Sequence, residues 1–200
     1  MSRLLLTKAS LTHQKALLRT YGEVLPSLDL KRRQLGEERA RARAALEEAR
    51  GRVAALTQEI GRSLPMLAND AIDLDALVRL SHVELDEENL MGTRLPRLQS
   101  LEFSVQPYGL LTKPFWVDRL VVLLRQAIEF RLRLSVAQRR VALLDQAERT
   151  VTQRYNLFEK VLIPRTKATI KKISIHLADT ERAAVVNSKI AKRKKEAVAA

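Results

Sequence analysis

The residues that most often carry out chemistry in proteins are sparse and scattered in this sequence. There is no cysteine, which excludes disulfides and thiolate metal sites. His13, His82 and His176 lie far apart in the chain, and the six glycines never form a phosphate-binding loop. Acidic residues cluster in DEEN, residues 86–89, but an isolated acidic turn is usually only solvated. We therefore predict no catalytic, cofactor-binding or metal-binding residues, and hence no cofactor.

Charge is distributed unevenly along the chain. The net charge is +13. Residues 160–195 carry eleven Lys and Arg against two acids, whereas residues 70–118 carry nine acids and four bases. Such a division predicts different partners for different parts of the chain. No apolar run approaches the roughly 20 residues that span a bilayer, so we expect action in the cytoplasm or on a membrane-bound partner.

A heptad repeat runs through the first 62 residues. With the a positions counted from Leu4 and the d positions from Thr7, seven of nine a residues and six of eight d residues are apolar. So narrow and long a stripe predicts a coiled-coil seam. Arg32 and Arg39 interrupt it at a positions, so either their stems pass along the partner helix or the seam loosens there.

Pro26 lies inside this first helical segment, where it removes a backbone donor and crowds the preceding turn. We expect a kink or short break near residues 22–27. One bent helix and two helices joined by a turn both remain possible, although the heptad frame continues across the proline.

A second long helical segment is predicted from about Pro114 to Lys195. Its apolar seam advances by alternating steps of four and three, through the following residues: Phe130, Leu134, Ala137, Val141, Leu144, Glu148, Val151, Tyr155, Phe158 and Leu162. The same steps would next select Arg165, Thr169 and Lys172. The apolar stripe instead resumes at Ile170, Ile173, Leu177 and Ala184.

The stripe has therefore slipped by one residue, at Pro164. Because Pro164 cannot donate to the carbonyl of Lys160, the helical ladder is already open there. An open ladder can accommodate an extra residue as a π-type bulge or a bend. The alternative is a surface kink without a role.

The segment between the two helical segments lacks their long heptad-like apolar pattern. IDLDALVRL, residues 72–80, is compatible with a short helix. Alternating runs at His82–Leu85 and Leu98–Val105 flank a turn at Gly92 and predict a β-hairpin. We therefore predict a mainly α fold, with two long antiparallel helices in a coiled coil and a small head of short helix and β-hairpin between them. The expected segments are 1–63, 64–113 and 114–200, in one elongated domain.

Three stretches together resemble one family. YNLFEKVLIPRTKATIKKI (155–173), LDLKRRQL (28–35) and ENLMGTRLPRLQ (88–99) are similar to segments of the central-shaft D subunit of V-type and A-type rotary ATPases, in the same order. The resemblance covers nearly the whole chain and is closest to bacterial versions. Pro26, just before the basic block, is a departure from many members.

The resemblance implies a non-catalytic rotor axle that couples nucleotide hydrolysis or synthesis to ion transport. Its implied partners are the catalytic and regulatory nucleotide-binding ring subunits, the small rotor F subunit and the adaptor subunit on the membrane ring. It implies no nucleic-acid partner, and a peripheral location on the cytoplasmic side of the membrane without insertion. We predict a basic collar around Pro164 that contacts these partners. Its cationic residues are Lys31, Arg32, Arg33, Arg165, Lys167, Lys171 and Lys172.

Other functions fit parts of the sequence. A basic coiled coil could bind nucleic acid through SKIAKRKKEAVAA, but no recognised reading motif is present and the middle of the chain is acidic. A stand-alone structural coiled coil or membrane-surface adaptor explains the heptads but not the hairpin or the phase slip. The axle of F-type enzymes carries a larger α/β domain between its helices than about 50 residues can form.

Overall fold

The computed structural model describes residues 5–64, 77–106 and 116–199. Its elements are, in chain order, helix α1 (Lys8–Ser63), strands β1 (Val78–Leu90) and β2 (Thr93–Val105), helix α2 (Trp116–Asn156), a π-helix (Leu157–Leu162) and helix α3 (Ile163–Ala199). The predicted fold class is confirmed, because the chain is mainly α with an antiparallel hairpin between two long helical segments. No helix among the described residues is long and apolar enough to cross a membrane.

Helix α1 follows the predicted heptad frame. Its three buried side chains, Leu35, Leu46 and Leu56, all occupy a or d positions. The helix runs through Pro26 without a break, so of the two alternatives the single helix is correct. Next to the proline, the Ser27 hydroxyl donates to the carbonyl oxygen of Val24 at 2.8 Å.

The hairpin closes with a two-residue turn at Met91 and Gly92. Both residues have positive φ angles, 52° and 80°, as a type I′ turn requires. The Asn89 side chain braces the turn by accepting the Gly92 N–H at Oδ1, 3.0 Å away. The turn predicted at Gly92 is therefore confirmed, and it also holds a non-glycine residue in a conformation that favours glycine.

Strand β1 begins earlier than the alternating pattern predicted. Val78, Arg79 and Leu80 pair with Val105, Ser104 and Phe103 of β2. The prediction of a short helix through residue 80 is therefore wrong at its last three residues, because the ladder supplies their backbone partners and the apolar core holds Val78 and Val105. The remainder of that predicted helix, residues 72–77, lies almost wholly outside the described residues.

The chain divides into two compact units. The first, here called the hairpin unit, comprises residues 33–149, and the second, the terminal unit, comprises residues 1–32 and 150–200. In the hairpin unit the end of α1 and the start of α2 form the main apolar core with the residues flanking the hairpin, and α2 supplies the largest share. The buried members are Leu56, Leu64, Leu77, Trp116, Val117, Leu120, Val121 and Leu123.

The terminal unit has a thinner core along its helix pair. Val151 of α2 and Ile173 of α3 are buried, and so is Thr166. The ring of Tyr21 from α1 meets the ring of Phe158 edge to face, with centroids 5.3 Å apart. An ion pair joins Lys8 at the start of α1 to Glu181 of α3, at 3.3 Å. These contacts confirm that the helices of this unit pack against each other.

Candidate functional site

The polar residues within the seam are paired across the helices. In the hairpin unit, Arg39 Nη1 lies 2.6 Å from Glu148 Oε2 and 3.8 Å from Asp145 Oδ1. Arg43 also contacts Asp145, at 3.0 Å. Arg39 therefore reaches across the seam to an acid on the facing helix, a pairing that the sequence analysis did not predict.

The Arg39–Glu148 contact is close but poorly aligned. Arg39 Nε and Glu148 Oε2 are buried, and neither makes a hydrogen bond within the described structure. The pair is thus held by charge rather than by directed hydrogen bonds, which are the stronger arrangement for Arg and carboxylate. A polar contact in this apolar seam favours one alignment of α1 on α2, because sliding either helix would separate Arg39 from the largely buried Glu148 carboxylate.

In the terminal unit, Arg32 is held by an aromatic ring and an acid. Its guanidinium carbon lies 4.4 Å from the centre of the Tyr155 ring, and its Nη2 donates to Asp29 Oδ1 at 2.6 Å. The Tyr155 hydroxyl in turn donates to Glu159 Oε1 at 3.0 Å. Four side chains therefore connect α1 to α2 and the π-helix at one level of the terminal unit.

The same arrangement changes the acidity of Tyr155. The hydrogen bond to the Glu159 carboxylate raises the pKa of the Tyr155 hydroxyl above its ordinary value, and burial and the nearby negative charges act in the same direction. The Arg32 cation opposes this shift. The phenol therefore loses its proton at a higher pH than a tyrosine with an unperturbed pKa.

A π-helix immediately before Pro164 absorbs the predicted phase slip. The N–H of Ile163 donates to the carbonyl of Phe158, five residues back, which defines the wider turn. Of the bulge and the bend considered from the sequence, the bulge is confirmed. Its effect on the seam is clear, because Thr166 and Ile173 are only 7% and 0% exposed whereas Arg165 and Lys172 are exposed.

The predicted collar residues fall at two levels. Arg32 lies against the Tyr155 ring, and with Lys31 it ends the α1 part of the terminal unit, while Arg33 belongs to the hairpin unit. Arg165 follows Tyr155 by ten residues, on the other side of the π-helix. It lies with Pro164, Lys167, Lys171 and Lys172 on the exposed surface of α3. The structure thus groups the α3 cations with one another and sets Arg32 apart in a partly buried cluster.

The division into units sharpens the charge asymmetry. The terminal unit contains 18 Lys and Arg against 6 Asp and Glu, whereas the hairpin unit contains 18 against 17. Nearly all of the net charge of +13 therefore belongs to the terminal unit. Among the described residues, no group of three or more His, Asp or Glu side chains has a geometry suited to a metal ion.

The hairpin is joined to α2 through Arg140. One guanidinium nitrogen of Arg140 donates to the carbonyl oxygen of Pro96 at 3.2 Å, and the other donates to Glu88 at 3.0 Å. Sequence reasoning did not identify Arg140, because an arginine off the seam looks like an ordinary exposed charge. It could have found the partner of Arg39, since Glu148 is the one charged residue of the α2 seam.

Comparison with known proteins places the chain in a family. The family described as the ATP synthase D subunit matches residues 10–193. The V-type ATP synthase D subunit of Borreliella burgdorferi is 33% identical over 192 residues, covering 96% of this chain and 95% of that protein. The corresponding protein of Chlamydia muridarum is 36% identical over 200 residues, covering 96% of each.

The chain belongs to the ATP synthase D subunit family. It is therefore a non-catalytic component of the central stalk of a V-type rotary ATPase, and its partners lie within that complex. The resemblance seen in the three sequence segments is confirmed.

Proposed function

We propose that the chain is the rotating axle of this complex, transmitting torque between nucleotide hydrolysis or synthesis and ion transport. The observation that carries the proposal is the seam itself. The buried side chains of α1 all lie at seam positions, and the two polar interruptions are bridged by Arg39 with Glu148 and by Arg32 with Tyr155. Cross-helix contacts of this kind oppose sliding and twisting of one helix along the other.

The charge of each unit supports a division of partners. We propose that the basic terminal unit enters the ring of catalytic and regulatory nucleotide-binding subunits. The nearly neutral hairpin unit then meets the small rotor F subunit and the adaptor on the membrane ring. Exposed cations make hydrated, long-range contacts with acidic loops, and these are weak enough individually to be exchanged during rotation.

The α3 members of the collar are proposed as contacts with the ring. Arg165, Lys167, Lys171 and Lys172 are exposed, and no ion pair with another described residue occupies them. Arg32 has a different role in the proposal, because it already contacts Asp29 and the Tyr155 ring within the chain. By fixing α1 against Tyr155, it positions the neighbouring cation Lys31.

Reconstitution tests the axle function directly. A complex assembled without this chain should lose ATP-driven ion transport, and adding the purified chain should restore it together with coupled hydrolysis. Restoration of hydrolysis and transport in the absence of the chain would rule out an axle.

The collar is tested by charge removal. Changing Arg165, Lys167, Lys171 and Lys172 together to Gln should reduce coupled hydrolysis in the reconstituted complex, because four long-range attractions to acidic loops are lost. A matched control removes four exposed arginines of the hairpin unit, Arg125, Arg131, Arg139 and Arg149, in the same way. Equal coupling in the collar variant and the unmodified chain would exclude the collar.

A further inference from the structure

The extra residue that the π-helix accommodates is not needed for an apolar stripe that faces α1. If one residue, such as Val161, were absent, Ile163, Thr166, Ile170 and Ile173 would follow Phe158 at steps of four, three, four and three. Those are the steps of the preceding seam, so an uninterrupted α-helix would bury the same side chains. The extra residue therefore adds something other than packing, and π-helical turns are rare and frequent at functional sites.

The extra residue adds an exposed apolar surface. Leu157 and Val161 are 47% and 48% exposed, and they lie four residues apart, about one turn of a π-helix. They therefore stand next to each other on the outside of the bulge. Together they form a small exposed apolar patch that is available to an apolar side chain of a partner.

The surroundings of this pair are basic. Arg154 precedes Leu157 by one short turn, Arg165 follows Val161 by four residues, and Lys160 lies between them. All three are exposed and have no ion pair with another described residue. The single acid of the π-helix, Glu159, is occupied by the Tyr155 hydroxyl.

We propose that this surface, here called the bulge face and formed by Arg154, Leu157, Lys160, Val161 and Arg165, is a docking site for a segment of a nucleotide-binding ring subunit. The segment would carry an apolar residue for the Leu157–Val161 pair and carboxylates for the flanking cations. Charge complementarity argues for an acidic protein segment, and the apolar pair gives the contact an anchor that dispersed cations lack.

This inference rests on the proposed axle function. Pro164 acts in it as a positioning residue, because its missing N–H leaves the carbonyl ladder open beside the bulge and lowers the cost of keeping the wider turn.

The test uses the full chain and the reconstituted ring. The variant Leu157→Gln/Val161→Gln should bind the ring about tenfold more weakly than the unmodified chain, since a buried apolar anchor is lost. The matched control, Leu85→Gln/Val122→Gln, changes a Leu and a Val of similar exposure, 56% and 45%, outside the bulge face. It should bind within about threefold of the unmodified chain, a shift smaller than the loss of one such anchor.

Deletion of Val161 provides a second variant that tests the bulge without adding polar groups. Because the seam becomes continuous, its helix content and melting temperature should equal or exceed those of the unmodified chain, while its ring affinity falls like that of the double variant. This variant decides the question if the double substitution disturbs folding.

The occupant is tested by photocrosslinking. A benzoylphenylalanine at position 161 should crosslink to an acidic stretch of a ring subunit. Crosslinking to a second copy of this chain, or to no ring subunit, would overturn the proposal, and so would equal ring binding by the double variant and the control. Failure of the unmodified chain to bind the ring would instead refute the axle function, so the two failures are distinguishable.

Discussion

At the scale of single residues, the seam combines apolar packing with polar contacts between Arg39 and Glu148 and between Arg32 and Tyr155. Both pairs replace an apolar knob by a charged or hydroxylated side chain, which gives up some burial. In return, they restrict which alignment of the helices is stable, because each polar group finds its partner in only one register.

The Arg39–Glu148 pair predicts an asymmetric response to substitution. Arg39→Ala should lower the free energy of unfolding by about 1–3 kcal/mol, because it leaves a largely buried carboxylate without its charge partner. The double variant Arg39→Leu/Glu148→Leu should be neutral or more stable, since apolar residues of similar size often replace a buried ion pair without loss. Urea unfolding of the single and double variants measures both effects. A double variant less stable than either single variant would contradict this expectation.

Tyr155 predicts a change in stability at alkaline pH. Its pKa in the folded chain lies above the value of about 10 expected in the unfolded chain. The stability that it contributes is therefore fully present below pH 10 and is lost as the pH rises through the raised pKa. Tyr155→Phe should lower the melting temperature at pH 8 but leave it nearly unchanged at the alkaline end.

Glu159→Gln supplies the control for Tyr155. It keeps an oxygen acceptor but removes the negative charge, so absorbance titration of the phenol should show a lower pKa for Tyr155 than in the unmodified chain. An unchanged titration would show that the Glu159 contact does not hold the proton.

At the scale of elements, backbone conformation separates the glycines of α1 from that of the hairpin. A Cβ at Gly51 would meet no atom within 4 Å, whereas Gly92 has a φ of 80°. Gly51→Ala should therefore raise the free energy of unfolding by about 0.5–1 kcal/mol through helix propensity. Gly92→Ala should lower it by about 1 kcal/mol or more, because L side chains disfavour that conformation. Chemical unfolding of the two variants tests the contrast.

The phase slip makes a sharper prediction at neighbouring positions of α3. Ile173→Ala should cost about 2–5 kcal/mol because its side chain is fully buried. Lys172→Ala should change stability by less than about 0.5 kcal/mol because Lys172 is exposed. Equal effects at the two positions, measured by thermal unfolding, would show that the stripe had not shifted.

The elements also show how far sequence can predict structure. The heptad seam of α1 and the bulge at Pro164 were predictable because apolar spacing and a missing proline N–H act locally. Strand β1 was predicted too short, because its first residues are fixed by pairing with β2 rather than by their own pattern. The cluster of Arg32 with Tyr155 was not predictable, since its members are brought together by packing of distant segments.

At the scale of the whole molecule, the uneven charge of the two units predicts uneven salt dependence. Exposed charges are screened over about 3 Å at 1 M salt but about 10 Å at 0.1 M. Binding of the ring, proposed for the basic terminal unit, should therefore weaken markedly as salt rises. Binding of the small rotor F subunit, proposed for the nearly neutral hairpin unit, should change little. Affinity measurements across a salt series with each partner test this, and parallel salt curves would contradict the division of partners.

Pro96 bears on how the chain behaves before its partners reach it. The outer edge of a two-stranded sheet normally offers N–H and C=O groups to which a stray strand can add, a common start of aggregation. Pro96 has no N–H to donate, and its carbonyl oxygen already accepts a hydrogen bond from Arg140. A stray strand therefore finds no free backbone partner at this point on the edge of β2. Before the chain joins its complex, addition of a stray strand to β2 is therefore interrupted at Pro96.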